Sequence, residues 1–212
     1  RLLLPIFCAF LLPAQRGFLP GRDFKDNVRI LSNAYYSSLS KDQMMAILLA
    51  DFSKAFDRLV HHFIFALLAH IGLPLYYLNV IKALFTHLAA IPTFGSTSFT
   101  QAMIVICLGT KQGCPLSPLI FLCAMDLVLH GLTNLPNPAS ITPLGMADDL
   151  AIAFSDPNSL PGITKVIQGF CSISGSLINQ SKTKILTNKP IADLHALAAF
   201  KRAIANTPFP LT

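Results

Sequence analysis

The chain has 212 residues, enough for one large domain or for one domain and part of another. Apolar residues make up 53% and charged residues only 12%, so a large core can form under a surface poor in charge, which excludes a disordered or strongly polyelectrolyte chain. The formal charge of +6 permits a polyanionic partner, but no run of Lys and Arg marks a basic binding tract.

The chain begins with Arg1, and is read as a fragment or a processed piece. Its first stretch, LLLPIFCAFLLPA, predicts a short buried helix broken near Pro13. Two prolines and a length well under a bilayer span argue against a signal sequence or membrane helix there. GFLPGRD, residues 17–23, is a turn-rich element. Residues 23–40 predict a helix with apolar positions at Phe24, Val28 and Leu31, capped by Asp23 or Asp26.

MMAILLAD, residues 44–51, is a continuous apolar run ending in a carboxylate. That pattern predicts a buried strand with Asp51 at its C-terminal edge. A turn and a helix follow, stopped by Gly72 and Pro74, and a second helix covers 74–89 with proline at its start. Residues 91–108 predict a β-hairpin about a Gly-Ser-Thr-Ser turn.

GTKQGCPLSP, 109–118, is a polar loop feeding a long apolar helix, LIFLCAMDLVLHGL. Asp126 interrupts that apolar run, so no transmembrane helix is assigned and no membrane partner is expected. ITPLGMADDLAIAF, 141–154, has two apolar arms around an acidic tip and predicts a β-hairpin. A helix near 161–173, a turn and short strand within 174–188, and an alanine-rich tail over 190–212 complete the chain.

All ten acidic residues are aspartates, so each carboxylate is worth locating. Asp148 and Asp149 are adjacent in apolar surroundings, where mutual repulsion and desolvation both oppose ionisation. Divalent cations offset both penalties, and Mg²⁺ favours hard oxygen ligands. Taken alone, Asp-Asp also suits an ordinary exposed turn, and Asp51 an ordinary strand end or helix cap. The five cysteines contain no CxxC pair, which excludes a zinc knuckle and leaves reduced, mostly buried thiols of an intracellular (nuclear or cytoplasmic) protein as the simplest account. The six histidines show no metal-ligand spacing.

Five strings in fixed order resemble the reverse transcriptase family, in the branch encoded by LINE-type, non-LTR retrotransposons. QRGFLPGRDFKDNV (15–28) resembles the element between fingers and palm. ADFSKAFDRLVHH (50–62), GTKQGCPLSPLIF (109–121), MADD (146–149) and SGSLINQSKTKIL (174–186) resemble palm motifs A, B, C and D.

The resemblance implies an α+β polymerase palm: an antiparallel sheet backed by helices, with partial fingers and at most a partial thumb. Residues 1–40 would be partial fingers and the connection to the palm, 41–187 the palm, and 188–212 a tail or partial thumb. It implies an RNA-directed DNA polymerase that uses an RNA template, a DNA primer, deoxynucleoside triphosphates and two Mg²⁺ ions, with Mn²⁺ as a substitute.

By resemblance Asp51, Asp148 and Asp149 are the metal ligands, and Lys182 assists the leaving pyrophosphate. Phe56 holds the position that excludes a ribose 2′-OH, while Gln112 and Gly113 lie near nucleotide and template. Arg22 and Lys54 are candidate nucleic-acid backbone contacts. Met146 stands where the family usually has an aromatic residue, which puts primer or nucleotide positioning in question. The fingers motifs that grip the triphosphate, a full thumb and an endonuclease segment are not recognised. The chain is therefore read as a truncated or degenerate copy, and the alternative is a catalytically inactive palm-fold remnant that binds nucleic acid weakly or not at all.

Overall fold

A computed structural model of the chain describes residues 3–86, 88–111, 113–189, 198, 202–205 and 207. Helix α1 (Leu4–Phe10) opens the fold and ends before Pro13. Helix α2 (Phe24–Ser40) is capped by Asp23, whose carboxylate accepts the Lys25 N–H. Strand β1 (Ala46–Ala50) follows, then the short helices α3 (Ala55–Arg58) and α4 (His61–His70), then α5 (Leu75–Thr86).

Two small ladders come next: β2 (Ala89–Ala90) with β5 (Ile104–Val105), enclosing β3 (Thr93–Phe94) with β4 (Thr97–Ser98). The long helix α6 (Leu116–Thr133), the hairpin β6 (Ile141–Met146) and β7 (Asp149–Phe154), helix α7 (Leu160–Ser174) and strand β8 (Lys184–Thr187) complete the described elements.

One four-stranded antiparallel sheet organises the whole, in the order β6-β7-β1-β8. Its register follows from side-chain alternation. Ile152, Leu48 and Ile185 sit opposite one another across three strands, and each is fully buried. Ala46, Ala50, Leu150 and Phe154 share that parity and turn to the same core. Helix α6 packs on β6, α7, α4 and α1. It is buried nearly all round, as a helix apolar on every face must be in a folded core.

The architecture is the α+β palm that the motifs imply. By length and composition alone, α6 is long and apolar enough to cross a membrane; most of it lies inside this fold. Asp126, expected to interrupt the apolar run, sits within α6 with its side chain fully buried.

Local differences have tertiary causes. The helix expected after Asp51 is split at Leu59–Val60, because Val60 bridges to Leu108 and donates its N–H to the Ser174 carbonyl. The expected 91–108 hairpin is divided by a 3₁₀ turn at Thr100–Ala102. Phe24 and Val28 of α2 stay exposed rather than joining the core. The cysteines are all free, but Cys107 is exposed and only Cys123 is fully buried. Most of the expected 190–212 tail lies outside the described residues.

Candidate active site

The site begins with parity. In β1, Ala46, Leu48 and Ala50 face the core, so Leu49 and the residue just past the strand, Asp51, face the other way. In β7, Asp149 and Ala151 have the matching parity, and Ala50 pairs with Leu150. Asp51 and Asp149 therefore fall on one face of adjacent strands. Leu144 and Met146 of β6 pair with Ala151 and Asp149, and extend the same face.

These side chains bound a cavity of about 400 Å³. Asp51, Asp149 and Lys182 supply its polar rim, while Phe24, Val28 and Leu31 of α2 form the opposite apolar wall. The exposed stripe of α2 is thus the roof of a cleft.

Asp148 lies in the two-residue turn between β6 and β7, and Asp149 is the first residue of β7. Ala147, the other turn residue, has a positive φ of 55°, an uncommon conformation for a residue with a Cβ. Burial raises the pKa of Asp149, and the nearby charges of Asp148 and Asp51 raise it further. All three carboxylates thus share one electrostatic neighbourhood. Among the described residues none of the three forms an ion pair with Lys, Arg or His.

Motif D locks onto motif A through the backbone. The Asp51 carbonyl accepts the Asn179 N–H at 2.8 Å, and the Asp51 N–H donates to Thr183 Oγ1 at 3.2 Å. Ser53 donates to the Leu177 carbonyl at 2.8 Å, beside an isolated bridge between Phe52 and Ile178. The Lys182 N–H donates to the Asn179 carbonyl, and its exposed side chain lines the cleft.

Other expected site residues, Met146 apart, are placed elsewhere. Phe56 does not line this cavity; its ring stacks on Phe121 of α6 with centroids 4.2 Å apart. Gly113 takes a φ of 81° with open space around it, so a left-handed turn, rather than close packing, is what calls for glycine there. Gln112 lies outside the described residues. Met146 is 42% exposed beside the acidic turn.

Lys54 is exposed in the turn after β1, with a left-handed backbone of φ 49°. The Arg22 guanidinium is turned inward, donating to the carbonyls of Leu11, Leu12 and Gln15. Two residues beneath the turn carry no chemical signature of their own. Gln15 and Asn27, both buried, donate to or accept from the backbone at Gly145 and Ala147. Their only sequence signal was position inside the 15–28 string.

The donor set fits a divalent cation in kind: three carboxylates, all hard oxygen ligands, with their charge uncompensated. Among the described residues no three such groups are drawn together into a ready-made cage.

Known proteins give an independent line. The family model described as reverse transcriptase (RNA-dependent DNA polymerase) matches residues 2–198. A retrovirus-related Pol polyprotein from the type-2 retrotransposable element R2DM of Drosophila melanogaster is 29% identical over 174 residues, covering 80% of this chain and 16% of the polyprotein. The corresponding polyprotein from the type-1 element R2 of Nasonia vitripennis is 33% identical over 146 residues, covering 65% of this chain and 14% of that one. The chain thus spans a small part of these relatives.

Among solved structures, apo telomerase from Candida tropicalis superposes with a TM-score of 0.66 at 13% identity, covering 91% of this chain and 36% of the telomerase chain. Telomerase from the same organism in complex with a TWJ fragment of telomeric RNA gives 0.64, covering 78% and 30%. These structures share the fold; the family model and the retrotransposon relatives carry the assignment. The chain belongs to the reverse transcriptase (RNA-dependent DNA polymerase) family, in the branch of non-LTR retrotransposons.

Proposed function

We propose that the chain is the palm-centred core of an RNA-directed DNA polymerase, adding deoxynucleotides to a primer 3′-OH on an RNA template. The observation that carries this reading is that Asp51, from the end of β1, and Asp149, from the β6–β7 hairpin, line one cleft with Lys182, while Asp148 in the hairpin turn adds its charge to theirs. In this reading residues 1–40 are partial fingers and their connection to the palm, 41–187 the palm, and 188–212 a tail or partial thumb.

Reverse transcriptases generally use divalent metal ions. Asp51, Asp148 and Asp149 are the residues that would hold a Mg²⁺ pair, or Mn²⁺ in its place. When bound, such ions activate the primer hydroxyl and neutralise charge on the departing pyrophosphate. The chain's own groups do the rest. Asp51 and Asp148 present the principal oxygens, and Asp149 adds charge behind them. Lys182 offers an exposed ammonium to the outgoing phosphates. The apolar wall of Phe24, Val28 and Leu31 limits water on the far side of the cleft.

Lys54 is free to meet a nucleic-acid phosphate, whereas Arg22 is committed to the frame of the site. A palm remnant without catalysis is the second reading, favoured by Met146, which offers the primer terminus no rigid ring.

Extension of a DNA primer on an RNA template separates the two. The polymerase reading requires metal-dependent incorporation of deoxynucleotides by the folded chain, abolished in Asp148→Ala. A folded, monodisperse chain that binds Mn²⁺ and extends nothing supports the remnant.

A further inference from the structure

The turn that presents Asp148 is held from below by a side chain with no chemistry of its own. Gln15 is fully buried. Its Oε1 accepts two backbone N–H groups, from Ala147 at 3.1 Å and from Gly17 at 3.1 Å. Two donors on one oxygen fix which end of the amide faces the turn.

The backbone around Gln15 closes the same clamp. The Gly145 N–H donates to the Ala14 carbonyl at 3.0 Å, and the Arg16 N–H donates to the Gly145 carbonyl at 2.9 Å. Asn27 adds a third bond to that strand, donating to the Gly145 carbonyl at 3.1 Å. Gly17 lies so near the turn that a Cβ there would stand 2.5 Å from the Ala147 nitrogen. Arg22 holds the Gln15 carbonyl from the other side at 2.7 Å.

Ala147 pays for this arrangement with its positive φ. Residues in sparsely populated backbone conformations persist only where their surroundings over-determine them, and they concentrate at functional turns. Here the surroundings are identifiable as one amide oxygen and one close glycine.

We propose that Gln15 is a positioning residue of the polymerase site, fixing through the Ala147 N–H the turn that aims the Asp148 carboxylate. The inference rests on the polymerase reading for its kinetic consequence, but its structural core is independent of it. Supporting groups behind ligands typically change affinity or activity by about 10–100-fold when removed, because small misplacements of a reacting group are costly.

The test compares the full chain with Gln15→Met, similar in shape but without the acceptor, and Gln15→Glu, which keeps it. Three readouts are taken: Mn²⁺ affinity by electron paramagnetic resonance, hydrogen exchange at the Ala147 amide, and primer extension resolved into kcat and dNTP KM. Gln15→Met is expected to bind Mn²⁺ about tenfold more weakly and to lose protection at Ala147. Its kcat should fall about 10–100-fold with KM changed little, and Gln15→Glu should recover part of each loss.

Unchanged Mn²⁺ affinity and Ala147 protection in a folded Gln15→Met would overturn the proposal. If Gln15→Met does not fold, Gln15→Glu decides: retained Ala147 protection supports the clamp, and its loss in a folded protein overturns it. A wild-type chain that never extends a primer removes the polymerase reading, yet the metal and exchange measurements still judge Gln15.

Discussion

The ring of Phe56 stacks on that of Phe121, centroids 4.2 Å apart and planes 28° from parallel, which ties the segment after Asp51 to the core helix α6. The Phe56 carbonyl also accepts the Thr110 N–H at 2.7 Å, so the same residue joins motif A to motif B. Packing is thus the role its contacts show, and sugar selection is the role its place in the motif implies.

Phe56→Val separates the two roles. Loss of the stacked ring and its buried area should lower stability by about 1–3 kcal/mol, measured by urea unfolding. If Phe56 excludes the 2′-OH, the variant should also relax discrimination against ribonucleotides by about tenfold or more. Lower stability with unchanged discrimination would leave Phe56 a packing residue only.

Gly17 and Gly169 predict opposite outcomes for the same substitution. A Cβ on Gly17 would meet backbone at Ala147, so Gly17→Ala should push the acidic turn aside and reduce primer extension about 10–100-fold. Gly169 lies exposed within α7 with nothing within 4 Å of its would-be Cβ. Gly169→Ala should therefore stabilise the fold by about 0.5–1 kcal/mol and leave extension untouched. Thermal unfolding and extension of both variants check the pair.

Asp126 gives the fold a pH dependence. Burial pushes its pKa up from 3.8 to about 6, against the pull of the Leu12 N–H, His130 and Arg22. Both carboxylate oxygens lie 3.1 Å from the Leu12 nitrogen, and His130 Nε2 stands 3.2 Å from one of them. Because the folded state holds this proton more tightly than the unfolded chain, the contribution is most favourable below the unfolded pKa of 3.8 and declines as pH rises through about 6. Asp126→Asn keeps an acceptor for Leu12 and removes the titration. Urea unfolding across this range should show a downward slope in the wild type that flattens in the variant; equal slopes would contradict the assignment.

Strand β1 and the β6–β7 hairpin were legible because their information is local: an apolar run ending in Asp51, and two apolar arms about an acidic turn. Pairing of Ala50 with Leu150 then puts Asp51 and Asp149 on one face of adjacent strands. Helix α2 was legible as a helix, but not as the wall of a cleft, since periodicity cannot say whether an apolar stripe meets a core or a cavity. The break at Val60 depends on partners at Leu108 and Ser174, far along the chain. Gln15 was hidden for the same reason: its role lies in a bond to Ala147, and one glutamine in a loop carries no pattern. Arg22 looked like a phosphate contact until its three carbonyl partners were visible.

If β1 and the β6–β7 hairpin build one catalytic unit, a double-mutant cycle on single-nucleotide incorporation with Asp51→Asn, Asp148→Asn and the pair reads it out. Residues that act as a unit are strongly non-additive. Each single substitution should lower the rate about a thousandfold or more, and the double variant should be little worse than either. Near wild-type incorporation in a single variant, or losses that simply multiply in the double variant, would contradict a shared site.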